Sequence, residues 1–144
     1  MPATGPRFSV STRRKPALKA LQGLYAKAWW TAGRIPEGIR SVLRHSDLIA
    51  TAWDGPRLAG FARVSTDFAY RAVLWDVIVD PVHQRRGLGT RLVRAIIDDP
   101  RLRGVESFWL FTTDKQPFYR RVGFKGYPRN VLVWRRHVPP RKAA

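Results

Sequence analysis

The residues best placed to do chemistry lie between positions 76 and 91. A strand-like apolar run delivers the chain into Val82-His83-Gln84-Arg85-Arg86-Gly87-Leu88-Gly89, and a helical pattern follows at once with Thr90-Arg91-Leu92-Val93. Backbone N–H groups at a helix start are unpaired and sit at the positive end of the helix dipole, so they bind phosphate. Gly87 and Gly89 let a ligand approach the backbone closely, while Arg85, Arg86 and Arg91 add cationic reach. Together they make a pyrophosphate cradle. Two common nucleotide readings fail on particular residues. Leu92 stands where the dinucleotide fingerprint needs its third glycine, and Glu106 falls at the start of the next strand rather than its end. The Walker pattern GxxxxGK[ST] is absent.

Asp76 is the second candidate. It is the sole acid in a run that is otherwise apolar from Ala72 to Val79. A buried lone carboxylate is costly, so it asks for a partner or a task. The task would be general base; the partner would be a neighbouring arginine. Trp75 beside it either walls a pocket or fills the core, and core packing is the default for such a side chain. Asp114 is an alternative acid, read here as the cap of a short helix at Pro117. His83 reads as a solvated loop residue.

The elements that must position these groups follow from periodicity. Residues 16–30 place Leu18, Leu21, Leu24, Tyr25 and Ala28 at helical spacing, and 36–46 form a shorter amphipathic helix with Ile39, Val42 and Leu43 inward. The period then changes. Residues 48–54 and 58–66 are strand-like and joined by Asp54-Gly55-Pro56-Arg57, a hairpin turn. Residues 72–80, nearly continuous in Val, Ile, Leu and Trp, predict a central strand covered on both faces. A helix over 90–99, a strand over 105–113, a short helix over 117–122 ended by Gly123, and a last strand over 130–136 complete the order. The fold class is α/β: a mixed sheet with one crossover unit.

Composition limits what this fold can do. The chain has 144 residues, which favours one domain over 1–144 with basic tails at 1–15 and 136–144. Zero cysteines exclude thiol catalysis, disulfides and cysteine-built metal sites, and three scattered histidines exclude an HExxH zinc helix, so no metal is expected. No apolar stretch is long enough to span a bilayer, so no membrane partner is expected and a cytoplasmic globule is. Lys and Arg number 27 against 10 Asp and Glu, formally +17. The excess sits at the ends: residues 1–35 carry Arg7, Arg13, Arg14, Lys15, Lys19, Lys27 and Arg34 with no acid, and residues 126–144 carry Arg129, Arg135, Arg136, Arg141 and Lys142 with no acid. Such a field attracts polyanions, and any nucleic-acid binding would be non-specific.

Val77-x-Val79-x-Pro81-x-x-Gln84-Arg85-Arg86-Gly87-Leu88-Gly89 resembles motif A of the GCN5-related N-acetyltransferases, and Phe118-Tyr119-x-x-x-Gly123-Phe124 resembles the same family's second signature. Their order and separation agree with the family. Within it the text is similar to cyanobacterial and plastid serotonin N-acetyltransferase-like proteins at Trp53-Asp54-Gly55, Gly60-Phe61-Ala62-Arg63, Tyr70-Arg71-Ala72, Leu74-Trp75-Asp76-Val77 and Thr112-Thr113. One departure stands out: Arg85 occupies a position where many relatives carry a small residue.

The resemblance implies a mixed, mostly antiparallel sheet flanked by helices, with strands four and five splayed around acetyl-CoA. It implies cofactor contacts from Val77, Ile78, Val79, Gln84, Arg85, Arg86, Gly87, Leu88, Gly89, Thr90, Gln116, Phe118 and Tyr119, and a substrate site at Trp75 and Asp76. The reaction implied is direct acetyl transfer to a primary amine through a tetrahedral intermediate. The acceptor would be a small arylalkylamine such as serotonin or tryptamine; the alternative is a protein lysine or N-terminal amine. Tyr119 would then protonate the leaving thiolate, a task a phenol suits. Asp76 would take the amine proton or stand as a structural anion. A basic nucleic-acid-binding module without catalysis is the rival from another class. The oligomeric state is left open, a homodimer being one option.

Overall fold

The structure, a computed structural model, describes residues 7–127 together with Val131, Leu132, Trp134 and Arg135. The strand expected over 130–136 falls in part outside the described residues, as do the ends of both tails. The chain groups into two compact units, one ending at Thr112 and one beginning at Thr113.

The first unit holds a five-stranded sheet in the order β1-β2-β3-β4-β5. These strands are β1 (Phe8–Ser11), β2 (Leu48–Asp54), β3 (Arg57–Thr66), β4 (Arg71–Val79) and β5 (Ser107–Trp109), with α1 (Leu18–Tyr25), α2 (Pro36–His45) and α3 (Leu88–Ile97) packed on it. Only β4 and β5 run parallel, and α3 makes the crossover between them. Residues 8–11, expected to be tail, instead form an edge strand. Phe8-Ser9-Val10-Ser11 is too short and too polar to announce itself, but pairing with β2 from Phe8↔Asp54 to Ser11↔Thr51 satisfies its backbone, and Phe8 is buried. β4 is not central as its composition suggested; β3 is. β4 alternates buried Ala72 and Leu74 with half-buried Val73 and Trp75, the pattern of one well-covered face.

Each face of the sheet receives helices for a visible reason. On one face Leu21, Leu24 and Tyr25 of α1 and Ile39 of α2 close over Ile49, Phe61 and Ile78. Pro36 begins α2, Glu37 lies in its first turn, and Arg44 and His45 lie in its last, each suiting the helix dipole. The other face is floored by small residues: Ala50 pairs with Ala62, and Ala52 with Gly60. They let α3 settle close, and a Cβ on Gly60 would stand 3.0 Å from Leu92 Cδ1. Among the described residues no helix is long and apolar enough to cross a membrane.

The second unit contains α4 (Gln116–Val122), with Pro117 in its first turn and Gly123 at φ 118° as its exit. Its N-cap is Lys115, with no side-chain capping bond, so Asp114 does not play the capping part expected of it.

Candidate active site

The sheet opens where the sequence placed the chemistry. β4 pairs with β5 only over Arg71↔Ser107, Ala72↔Phe108 and Val73↔Trp109. Beyond that point the edge of β4 from Leu74 to Val79 that faces away from β3 has no strand partner among the described residues. The strand expected over 105–113 is therefore cut to three residues, because pairing rather than composition ends it.

β4 also carries a bulge at this opening. Phe61 pairs with Ile78 and Arg63 with Trp75, so Ala62 alone faces both Asp76 and Val77. Asp76 sits in the left-handed region at φ 54°. A bulge of this kind bends the strand and re-aims its backbone groups.

After Val79 the chain enters the cradle. Asp80 donates its N–H to the Ala59 carbonyl, and its carboxylate accepts from Val82 N–H and from Lys27 Nζ at 2.6 Å. A 3-10 turn over Pro81–His83 leads on, and Gln84 Nε2 donates back to the Val79 carbonyl at 3.1 Å, closing the loop on its own strand. Gly87 then adopts φ 77° as the N-cap of α3. The first α3 N–H to reach a carbonyl of its own turn is that of Arg91, bonded to Gly87, which leaves those of Leu88, Gly89 and Thr90 as the donors of the helix start. A Cβ on Gly87 would meet nothing within 4 Å, so the space above it is open. These features suit a pyrophosphate.

Arg85 and Arg86 are exposed beside this opening, and Arg85 holds φ 63°, a conformation that costs any residue but glycine. Arg91 does not add reach to the cradle: its guanidinium donates to the Phe8 carbonyl at 3.2 and 3.3 Å, tying α3 to β1. His83 is likewise not a solvated loop residue. It is buried, makes an edge contact with Phe8 and shares a bond through Nε2 with Asp54 at 3.1 Å, while Nδ1 is buried without a partner.

Asp76 is the most heavily partnered group in the site, its side chain only 5% exposed. Arg34 reaches its two oxygens at 2.5 and 3.0 Å, Arg63 Nε donates at 2.8 Å, and the Tyr25 hydroxyl donates at 2.9 Å. Burial pushes the carboxyl up, but the hydrogen bonds and charges of Arg34 and Arg63 outweigh it and hold the group below the usual carboxylate range. Burial and the Asp76 charge in turn push the Tyr25 phenol well above its ordinary value. A general base wants a free lone pair and a pKa near neutrality. Asp76 Oδ2 already accepts three hydrogen bonds and Oδ1 one, and the carboxyl is held low, so of the two roles weighed for it the geometry favours the partnered anion. Sequence reasoning allowed Asp76 an arginine partner but singled out neither Arg34 nor Arg63 and did not foresee Tyr25; the available signal was the isolation of Asp76 in an apolar strand.

Trp75 is half-buried next to this group. It stacks with Phe111 at 5.7 Å between ring centres and 26° between planes, and the Arg63 guanidinium lies 6.0 Å from its ring. Phe111 is 60% exposed, so the pair forms an aromatic shelf at the mouth of the opening. The first unit thus brings together Trp75, Asp76, Val77, Ile78, Val79 and Gln84 to Thr90. Gln116, Phe118 and Tyr119 belong to the second unit. There Tyr119 makes edge contacts with Phe118 at 4.9 Å and Phe124 at 5.8 Å, and burial pushes its phenol up to about 12.

Residues 15–124 match the Acetyltransferase (GNAT) family. The chain belongs to that family. This GNAT domain is 30% identical over 128 residues to histone acetyltransferase TAP1 of Glycine max, covering 79% of this chain and 55% of that protein. It is 32% identical over 110 residues to the chloroplastic serotonin N-acetyltransferase 2 of Oryza sativa subsp. japonica, covering 73% and 54%. Among solved structures, a GNAT-family protein from Xanthomonas campestris pv. campestris superposes with a TM-score of 0.79 at 30% identity, covering 93% of this chain and 95% of that one. The chain spans about half the length of the two plant relatives. Its α/β sheet, with β4 and β5 parting after three pairs, is the GNAT fold.

Proposed function

We propose that this GNAT domain is an acetyl-CoA-dependent N-acetyltransferase whose acceptor is a primary amine on a small aromatic scaffold. The observation that carries the acceptor class is the Trp75–Phe111 shelf at the opening of β4. Offset stacking on such a pair holds a flat ring by burial and quadrupole contact, leaving its alkylamine arm to reach the strand. The similarity to the rice serotonin N-acetyltransferase supports the same class.

Acetyl-CoA supplies the activated acetyl group. On the protein side, Leu88, Gly89 and Thr90 offer N–H donors to the diphosphate, with Arg85 and Arg86 adding charge. The open edge of β4 over Val77–Val79 offers backbone dipoles to a carbonyl laid along it. Tyr119, its phenol at about 12, remains protonated at neutral pH and holds the proton that a departing thiolate takes up. With Asp76 committed to two guanidiniums, the amine's proton passes to water.

A protein lysine is the second acceptor reading, favoured by the similarity to the soybean histone acetyltransferase. The formal charge of +17 works against it, because it repels lysine-rich chains. The test is acetyl-CoA turnover across arylalkylamines, aliphatic amines, lysine peptides and basic proteins. The expected order puts arylalkylamines first by kcat/KM, with Phe111→Ala raising KM for them alone. Faster turnover of lysine peptides would transfer the assignment to a protein acceptor. Salt-sensitive nucleic-acid binding with no turnover would remove the enzyme reading.

A further inference from the structure

We infer that Tyr25, Arg34 and Arg63 form a clamp on Asp76 whose task is to hold the β4 bulge in its left-handed turn, and so to aim the backbone of the donor edge. Asp76 is then a positioning residue, not the base. This rests on the acetyltransferase reading above.

The left-handed region disfavours residues with a side chain, aspartate less than most, and a strand residue holds such a conformation where its surroundings over-determine it. At Asp76 the surroundings do so from three elements at once. Tyr25 comes from the end of α1, Arg34 from the connection between α1 and α2, and Arg63 from β3, and all of them converge on one carboxylate. Arg34 also lies over the Tyr25 ring at 4.8 Å, so the donors brace one another. The two oxygens accept four hydrogen bonds between them, which fixes the side chain and through it the φ of residue 76. A simple structural ion pair would not need to sit on the one strand residue at positive φ among the described residues. The placement has a direct consequence for Val77, the next residue and the other half of the bulge. Its amide belongs to the peptide plane whose tilt the ψ of Asp76 sets. Whatever loosens the clamp tilts that plane.

Alanine and glycine at position 76 separate the possibilities, because both delete the carboxylate but only glycine takes positive φ freely. Asp76→Ala is expected to lower kcat about 10²-fold, the scale of a small misalignment of reacting groups. Asp76→Gly is expected to recover at least about tenfold of that loss. In both, KM for acetyl-CoA stays within about threefold and the pH–rate profile keeps its shape. If alanine and glycine are equally inactive and both lose the acidic limb, Asp76 is the base and the clamp idea fails. If kcat is unchanged in both while both melt lower, Asp76 is only a structural anion and the idea fails again. Should these variants not fold, Tyr25→Phe removes one hydrogen bond and spares the ion pairs; a fall in kcat of about three- to tenfold is expected, and none overturns the proposal. A readout independent of turnover is the Val77 amide resonance in ¹⁵N spectra of the ligand-free protein. It should move in Tyr25→Phe; an unmoved Val77 refutes the clamp even if no amine is acetylated.

Discussion

Replacing Gly60 with alanine tests how α3, and with it the cradle, is seated. The new Cβ would stand 3.0 Å from Leu92 Cδ1, 3.2 Å from the Ile78 carbonyl oxygen and 3.3 Å from Ala52 Cβ. The first neighbour is the end of a side chain, yet Leu92 is fully buried and has little room to turn. The other two are a backbone oxygen of β4 and a buried β-carbon of β2, neither of which yields without moving a strand. Forced packing of this kind costs about 1–3 kcal/mol. At roughly 2–4 °C per kcal/mol for a chain of this size, Tm should drop by roughly 2–12 °C. Calorimetry gives Tm, and urea titration should show a lower midpoint at unchanged slope. If α3 relieves the contact by lifting, its first turn moves as well and acetyl-CoA should bind several-fold more weakly by isothermal titration. A variant that melts within about 1 °C of the parent would refute the close seating of α3. One that melts lower but binds the cofactor equally well would show that the helix start is set by Gly87 and not by the floor beneath.

Three further outcomes follow from the site. Tyr119→Phe keeps the ring and removes the proton, so kcat should fall about 10²–10⁴-fold with Tm and cofactor affinity held, as steady-state kinetics and calorimetry would show. Gly89→Asp puts bulk and negative charge among the cradle donors and should abolish acetyl-CoA binding by titration calorimetry. In acid, Asp76 and Asp99 act in the same direction: hydrogen bonds from Arg101 and Thr12 hold Asp99 down despite its burial, and the Arg34 and Arg63 partnership prevails at Asp76. Because the unfolded chain binds these protons first, the stability they contribute is present above about pH 4 and is lost as pH falls below it. Tm measured from pH 7 to pH 3 should be level at first and then decline, and a rise on acidification would contradict the sign.

What could be read from the chain and what could not divide along the range of the interactions. The helix at Leu18–Tyr25, the Gly55 hairpin, the glycine-marked start of α3 and the Gly123 exit are written in local spacing and local φ requirements, and these were legible. β1 was not, because two apolar residues in a polar segment become a strand only through β2. The burial of His83 follows from that miss, since its ring lies against Phe8 of the unforeseen strand. The clamp was least legible of all. Asp76 asked for a partner, but its donors lie 51, 42 and 13 positions away, and a chain with 27 basic residues gives no hint of which arginines answer.

The parting of β4 from β5 also bears on how this protein survives in a crowded solution. An edge of backbone donors and acceptors along an apolar strand is what a neighbouring chain needs in order to add itself to a sheet, and aggregation starts at such edges. On the proposed reading, a proline or a lysine could blunt this edge only by closing the place offered to the thioester. Its guard is then the acyl donor itself. A ligand that binds only the folded chain adds about 2.7 kcal/mol at a hundredfold excess over its Kd, comparable to a good core side chain. On that reading the supply of acetyl-CoA becomes part of the protein's own upkeep: starvation for the donor would leave the enzyme idle and, at the same time, leave an edge of β4 that has no strand partner among the described residues without its ligand.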